Sequence, residues 1–336
     1  MPFKFNHGWL QDPTYIKLVS DFWPLHPIDQ ADSLAKGFCT NLQQLKELTI
    51  EWARNKHRAE TSALIHIEEE ITSLTDERGL GFISEADKSH LVDLENQKQK
   101  IVKEREESTR LRSRAIWLKA GDDNTHFFHN YAKGRKVSNT IWNLPMPKGG
   151  EADTFNKLSQ LGTAHFRNLY RHPPGSNLAD IINIAGHFPR FVNDEESASL
   201  FDPVSLEELE STIKWFKKER SPGPDGWTIE FYIAFYEMIK LDLLQVVEEC
   251  RILGSMYNAI NSTFIALIPK SDSPSSFDEY QPISLYNVLY KIILKIIANR
   301  IHPILSRHIA PQQFAFLEHR HIHEAIGVAQ EAFHSI

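Results

Sequence analysis

The feature that most constrains this fold is a long proline-free stretch, residues 41–114, in which charge is dense and apolar residues recur at helical spacing. Part of it carries an apolar seam with 3-4-3 spacing, formed by Leu64, Ile67, Ile71 and Leu74. Gly79 and Gly81 interrupt the pattern, and Ser84 can start a second helix. The stretch therefore predicts an antiparallel helical hairpin over residues 39–112, and it is too short to require an intermolecular coiled coil.

A local basic segment follows, on a chain that is acidic overall. The net charge is −7, yet residues 98–148 hold 12 Lys and Arg against 5 Asp and Glu. Between residues 113 and 142 aromatic side chains are interleaved with these cations, which is typical of surfaces that contact single-stranded nucleic acid. The candidate nucleic-acid contacts are Arg114, Lys119, Lys133, Arg135 and Lys136. The alternative is a solvated helix face with no ligand.

The last third of the chain, residues 201–336, predicts a small α+β unit. Ser205 and Glu208 fit a capping box before an amphipathic helix, and the motif SPGPDG after it forces a fixed turn. The run FIALI predicts a strand, and YQPISL predicts a second one after a polar loop. With the helical hairpin, these elements predict a chain that is mainly α with a small β component.

The two strands and the helix after them carry further expectations. Phe264, Ala266 and Ile268 alternate along the first strand, so we expect them to face the neighbouring helices. The polar loop at residues 271–279 is expected to lack such cover. The helix at about residues 286–301 places Lys291 and Lys295 one turn apart, where they could contact a nucleic-acid backbone or extend from a buried face to water.

The order of these motifs resembles a known family. SPGPDG, FIALIPK, YQPISLYNVLYKIILKIIANRI and PQQFAF follow one another as at the start of the reverse transcriptase domain of plant LINE-type (non-LTR) retrotransposons. Upstream, SRAIWLKAGDDNTHFFHNYAKGRKVSNTI is similar to the segment that precedes this domain in the same elements. The resemblance covers most of the chain. It implies that residues 201–336 form the fingers part of a reverse transcriptase.

The resemblance also implies roles for single residues. The strand–loop–strand looks like the fingers hairpin that folds over the triphosphate of the incoming nucleotide and over the template. By this resemblance the nucleotide- and template-binding residues are Lys270, Gln281, Lys291 and Arg320. Gln281 stands where the family usually has an arginine, and a neutral amide forms weaker hydrogen bonds to phosphate than a guanidinium. His319 stands where the family usually has a glycine.

The family's catalytic palm is not recognisable in this sequence. Polymerases of this class use two metal ions held by carboxylates, and those motifs would follow after Ile336. The adjacent pair Asp122 and Asp123 is interpreted as a turn or helix cap, and Asp225 as a turn residue. We therefore expect a truncated reverse transcriptase with no catalytic or metal-binding residues of its own. No cofactor is predicted for this chain, whereas the full-length family uses Mg²⁺.

The predicted organisation has five parts and leaves two other functions open. The parts are an N-terminal segment (1–38), the helical hairpin (39–112), the basic aromatic segment (113–148), a connecting region (149–200) and the partial reverse transcriptase domain (201–336). The alternatives are a nucleic-acid-binding module that uses the basic segment, or a helical interaction protein that self-associates through residues 40–112. Cys39 and Cys250 are interpreted as reduced thiols. A signal peptide and a membrane-spanning run are not recognisable, so we expect a nuclear or cytoplasmic protein.

Overall fold

The computed structural model describes residues 3–76, 84–113, 134, 140–146, 149–171, 178–187, 192–309 and 322–334. Over these residues the chain is mainly helical, and its strands form two two-stranded sheets. The predicted fold class is therefore confirmed. Two compact units are present: the first comprises residues 1–26, 40–159 and 267–283, and the second comprises residues 27–39, 160–266 and 284–336.

The helices and strands are numbered along the chain. The helices are α1 (Pro13–Phe22), α2 (Leu34–Asp76), α3 (Glu85–Ser113), α4 (Phe155–Leu169), α5 (Leu178–Gly186), α6 (Asp194–Leu200), α7 (Leu206–Trp215), α8 (Ile229–Ala234), α9 (Tyr236–Leu253), α10 (Val288–His308) and α11 (Ile322–His334). The strands are β1 (Leu144–Pro145), β2 (Glu151–Ala152), β3 (Thr263–Pro269) and β4 (Tyr280–Tyr286). β1 pairs antiparallel with β2, and β3 pairs with β4. Among the described residues, no helix combines the length and the apolar character needed to cross a membrane.

In the first unit, α1 begins with a cap and packs its aromatic face on α2. The Asp12 side chain accepts a hydrogen bond from the Thr14 backbone N–H, and Pro13 occupies the first turn, where no intrahelical donor is needed. Tyr15 is fully buried, its ring lies 4.9 Å from that of Trp52, and its hydroxyl lies 3.3 Å from the Thr49 hydroxyl. Burial raises the pKa of Tyr15, so its hydroxyl stays neutral.

The predicted helical hairpin is present as α2 and α3. Among the described side chains, two ion pairs join the two helices, Glu60 with Arg105 and Glu68 with Lys98, and a hydrogen bond of 2.9 Å links Glu70 to His90. The partner numbers fall on α3 as they rise on α2, so the helices run antiparallel. Ile67 from the predicted seam and Leu94 are buried. The seam therefore closes within the chain, as the sequence predicts.

The second unit has its core around α8 and α9. Its fully buried side chains include Leu209, Trp227, Phe231, Tyr232, Ile239, Leu243, Ile260 and Leu289. Residues 27–39 also belong to this unit, and Phe38 within them is fully buried. The Glu249 carboxylate accepts hydrogen bonds from the backbone N–H groups of Leu34 and Ala35, at 2.9 and 2.7 Å. Glu249 thus caps the first turn of α2, where a negative charge is stabilised by the helix dipole.

Three local expectations need correction. Ser205 accepts from the Glu208 backbone N–H, but the Glu208 carboxylate pairs with Arg300 instead of completing the capping box. Phe264 and Ile268 are 44% and 48% exposed, so they do not face the core as expected. The loop at 271–279 does not lack cover throughout, because Phe277 within it is buried. For Glu208 the ion pair with Arg300, a tertiary contact, overrides the local pattern.

Candidate nucleic-acid interface

The turn predicted from SPGPDG connects α7 to α8, and hydrogen bonds fix its shape. The Glu219 backbone N–H donates to the Glu230 carboxylate, and Glu219 has a left-handed backbone with φ of 62°. The Gly226 N–H donates to the Gly223 carbonyl at 3.1 Å. The Asp225 carboxylate accepts from the Trp227 N–H at 3.1 Å, as a turn aspartate does. The predicted role of Asp225 as a turn residue is therefore confirmed.

Asn287, which precedes α10, fastens this turn to the rest of the second unit. Its Oδ1 accepts from the Asp225 backbone N–H at 3.1 Å, and its Nδ2 donates to the Ala259 carbonyl at 2.8 Å. Gly223 packs directly on the same residue, since a Cβ atom at position 223 would overlap the Asn287 backbone nitrogen and the Tyr286 carbonyl carbon. Only glycine permits so close an approach of two backbones.

The turn and α10 enclose a basic cleft of about 230 Å³. Its lining consists of Trp215, Phe216, Lys217, Arg220, Ser221, Ile229, Val288 and Lys291. Three of these side chains are cationic, and none is a carboxylate. Phe216, Ile229 and Val288 make part of the wall apolar. A small concave site with apolar walls and converging cations is suited to an anion that carries an apolar group.

Lys291 is the most enclosed cation of this basic cleft. Its side chain is half-buried, and its Nζ lies 3.4 Å from the Ser221 carbonyl oxygen. Burial lowers the pKa of the Lys291 ammonium, and the negative charge of Asp225 acts in the opposite direction. An anion bound beside Lys291 would replace part of the lost hydration and stabilise the charged form.

At the edge of the cleft, Trp215 forms a cation–π pair. The Lys295 Nζ lies 3.5 Å from the centre of the Trp215 ring. Phe216 meets Trp215 at 81°, so the two rings do not stack in parallel. Trp215 is nevertheless 63% exposed, which is unusual for the largest apolar side chain.

The hairpin of β3 and β4 carries the other predicted phosphate-binding residues that the structure describes. Lys270 ends β3, is exposed, and donates from Nζ to the Asp278 carbonyl at 2.8 Å. Gln281 is exposed on β4. The Glu279 carboxylate accepts from the N–H and hydroxyl of Ser275, which closes the loop between the strands. The Lys270 ammonium is thus exposed and already uses one donor on the loop.

The predicted site residues are distributed over both units and the undescribed parts of the chain. Lys270 and Gln281 belong to the first unit, and Lys291 lies in the basic cleft of the second. Six predicted residues lie outside the described residues: Arg114, Lys119, Lys133, Arg135, Lys136 and Arg320. The pair Asp122–Asp123 lies outside them as well.

Sequence reasoning missed three residues of the basic cleft: Trp215, Lys217 and Arg220. The signal was present in the run WFKKER, where an aromatic pair and three cations directly precede the SPGPDG turn. Clusters of three or more His, Cys, Asp or Glu arranged to hold a metal ion are absent from the described part of the chain.

Comparison with known proteins connects the chain to mobile elements. It is 22% identical over 332 residues to the transposon TX1 uncharacterized 149 kDa protein of Xenopus laevis. The aligned region covers 98% of this chain and 25% of that protein. The chain is 29% identical over 138 residues to the RNA-directed DNA polymerase from mobile element jockey of Drosophila funebris, covering 39% of this chain and 15% of the polymerase. Protein-family profiles gave no match.

These matches support the resemblance drawn from the motifs. The chain spans a quarter or less of the length of either relative. Both relatives are proteins of transposable elements, and one of them is an RNA-directed DNA polymerase. The plant origin suggested by the motifs stays a prediction.

Proposed function

We propose that this chain comprises the segment upstream of a LINE-type reverse transcriptase domain together with the fingers of that domain. The observation that carries the proposal is the match over 98% of the chain to a transposon protein, with a second match to an RNA-directed DNA polymerase. In this role the chain holds nucleic acid for a polymerase whose catalytic carboxylates it does not itself supply. The proposal implies a nuclear or cytoplasmic protein that requires no cofactor of its own.

The geometry supports a role in handling nucleic acid. The hairpin presents Lys270 at its surface, and the basic cleft presents Lys217, Arg220 and Lys291 around apolar walls. These groups can neutralise phosphates, which supplies most of the affinity of proteins for nucleic acid regardless of sequence. Gln281 lacks the guanidinium that would complete a triphosphate grip, so the hairpin alone is a weak nucleotide site.

The chain alone is proposed to lack polymerase activity. The only Asp–Asp pair in the sequence, Asp122–Asp123, falls at a predicted turn before the fingers. Two-metal catalysis needs carboxylates that hold both ions beside the reacting phosphate. Primer extension on an RNA template with Mg²⁺ or Mn²⁺ should therefore give no template-dependent product, with a complete reverse transcriptase as the positive control. Incorporation above the no-template background would overturn this part of the proposal.

RNA binding by the whole chain tests the broader proposal. We expect the basic aromatic segment at residues 113–142 to contribute most of it, by electrostatic contacts. Replacing Lys133, Arg135 and Lys136 together by alanine should flatten the slope of log affinity against log salt by about two to three, since each phosphate contact contributes about 0.7–0.9. A control that removes three exposed lysines elsewhere (Lys17, Lys88 and Lys157) should leave the slope nearly unchanged. Equal slopes for both triple variants would remove the segment from the binding surface.

A second role, self-association through residues 40–112, is favoured by one observation on the helical hairpin. Ile65 on α2 and Val92 on α3 are exposed although both are apolar and β-branched. Sedimentation velocity on the wild type and on an Ile65→Glu/Val92→Glu variant tests it. A concentration-dependent oligomer that the variant loses supports this role, whereas a monomer at all concentrations rejects it.

A further inference from the structure

Several cations of the second unit are paired with carboxylates. Three arginines are held by carboxylates: Arg300 by Glu208, Arg251 by Glu248 and Arg307 by Glu196, each at 2.6 Å. The Arg300 and Arg307 pairs join segments that are distant in sequence, whereas Arg251 and Glu248 lie about one turn apart on α9. The cations of the basic cleft differ from them.

Around the basic cleft, none of the three cations forms a salt bridge with a carboxylate in the described part of the chain, and the nearby charge of Asp225 acts on Lys291 alone. Lys217 and Arg220 form neither an ion pair nor a hydrogen bond with another described side chain, and Lys291 reaches only the Ser221 carbonyl. Three cations that converge on one cavity repel each other, and a surface salt bridge could have relieved this at little cost. An anion bound between them would add to the counter-charge that Asp225 alone supplies.

The size of the cleft limits what the anion can be. At about 230 Å³ it lies below the range of about 300–1,000 Å³ that is typical of sites enclosing a whole small molecule. It suits one phosphate with part of its sugar, while the rest of a chain continues outside. Trp215, at the edge of the cleft, offers an exposed indole to a group attached to that phosphate.

Trp215 is prepared to receive a flat ligand on one side. Lys295 covers one face of the ring, and the 63% exposure of the side chain leaves room on the other. An unpaired nucleobase is flat, has a π-face and stacks on aromatic side chains irrespective of its identity. A base within a duplex is already stacked on both sides, so this arrangement discriminates against double strands.

We propose that the basic cleft binds one nucleotide of a single-stranded nucleic acid, with its phosphate among Lys217, Arg220 and Lys291 and a base stacked on Trp215. This inference rests on the proposed function and names the strand type that the site takes. The turn that carries Arg220 is already fixed by Asn287 and by the Glu219–Glu230 contact. Binding therefore costs little ordering of the backbone, which favours affinity.

The experiment measures binding of a fluorescent 12-nucleotide RNA, its DNA equivalent and an abasic RNA of the same length by anisotropy, at several salt concentrations, to the full chain. Trp215→Ala should weaken RNA binding about 5- to 150-fold, because stacking of one base accounts for a factor of that size. Its salt slope should not change. Lys217→Ala/Arg220→Ala should instead flatten the slope by up to about 0.7, because the single phosphate held in the cleft is then no longer neutralised.

Lys218→Ala is the matched control. Lys218 is exposed in the same turn but does not line the cleft, so its removal should change affinity less than about twofold. The substituted side chains are all exposed, and circular dichroism melts check that each variant keeps the wild-type fold. The abasic arm needs no variant: the wild type should bind abasic RNA more weakly than normal RNA, and Trp215→Ala should bind both alike.

The possible outcomes separate the cleft inference from the proposed function. If the wild type and the cleft variants bind RNA with equal affinity, the cleft inference is overturned and the proposed function still stands. Failure of the wild type to bind RNA or DNA overturns the proposed function, and the cleft inference falls with it. Equal binding of normal and abasic RNA, with competition by inorganic tripolyphosphate, would mean a plain anion site and overturn the stacking. Equal affinity for a duplex would overturn the single-strand specificity.

Discussion

Replacing Asn287 by alanine should destabilise the second unit through tertiary contacts, although the residue stands at a helix start. Asn287 immediately precedes α10, where an asparagine commonly caps the first turn. Here its side chain makes no capping bond. It is 4% exposed and bonds instead to Asp225 and Ala259, which lie 62 and 28 residues away in sequence.

The magnitude follows from the two hydrogen bonds that alanine cannot make. Asp225 is half-buried, and a donor that loses its partner away from water costs about 1–3 kcal/mol. Ala259 is exposed, so water can replace the bond to its carbonyl, and the loss there is about 0.5–1.5 kcal/mol. The free energy of unfolding of the second unit should therefore fall by about 2–4 kcal/mol. For a unit of this size the melting temperature should fall by about 5–15 °C.

Urea denaturation followed by circular dichroism, with Asn299→Ala as the control, measures this change. Asn299 is exposed on α10, so its replacement should alter stability by less than about 0.5 kcal/mol. Asn287→Ser separates the two possible roles, because serine is a good helix cap but is too short to make both tertiary bonds. The serine variant should be nearly as unstable as the alanine variant. Recovery of most of the stability by serine would refute the tertiary explanation and assign the effect to capping.

Two further predictions concern the Glu248 carboxylate and the fingers hairpin. Hydrogen bonds from Arg251 and the Val204 N–H hold the pKa of Glu248 below 4.5, so its contribution to stability is present above pH 4.5 and is lost as pH falls through the lowered pKa. Glu248→Gln should lower the free energy of unfolding by about 1–2 kcal/mol at neutral pH and by progressively less below pH 4.5. Urea midpoints measured across pH test this, and a difference between the two proteins that does not change with pH would contradict it. Gln281→Arg should change dNTP affinity less than about fivefold in isothermal titration, because one exposed cation on β4 cannot form a triphosphate site alone. A gain well above that of Gln281→Lys would mean that the hairpin is already organised for nucleotide.

The helical hairpin could be predicted from the sequence because the information is local. The 3-4-3 seam favours two helices that close on each other, and Gly79 and Gly81 mark the interruption between them in the sequence. The turn at SPGPDG was predictable for the same reason, since proline and glycine restrict the backbone at their own positions. Both are cases in which residues near in sequence decide the structure.

The basic cleft could not be predicted because its parts come together only through tertiary contacts. Trp215 and Lys295 lie 80 residues apart, and no local pattern pairs them. Gly223 was recognised as a turn residue, whereas its contact with the backbone of Asn287 depends on how α10 starts. The prediction that Phe264 and Ile268 face the core was wrong for a related reason. FIALI is apolar on both faces, so alternation alone does not decide which face of the strand is covered.

Asn287 connects the stability of the second unit to the chemistry of the basic cleft. The turn that it holds carries Arg220 and Ser221, whereas Lys291 lies on α10 itself, one turn after Asn287. Loss of the Asn287 hydrogen bonds would let Arg220 move away from Lys291 while every cation remains in the protein. Under conditions where Asn287→Ala is still folded, RNA affinity should therefore fall because the site is no longer preorganised. The alanine variants of Lys217 and Arg220 lose charge, whereas Asn287→Ala does not. At an equal loss of RNA affinity, Asn287→Ala should therefore keep a steeper dependence of affinity on salt than those variants. The opposite result, full affinity in a folded Asn287→Ala protein, would mean that the cations act as a diffuse patch and that the geometry of the turn does not matter.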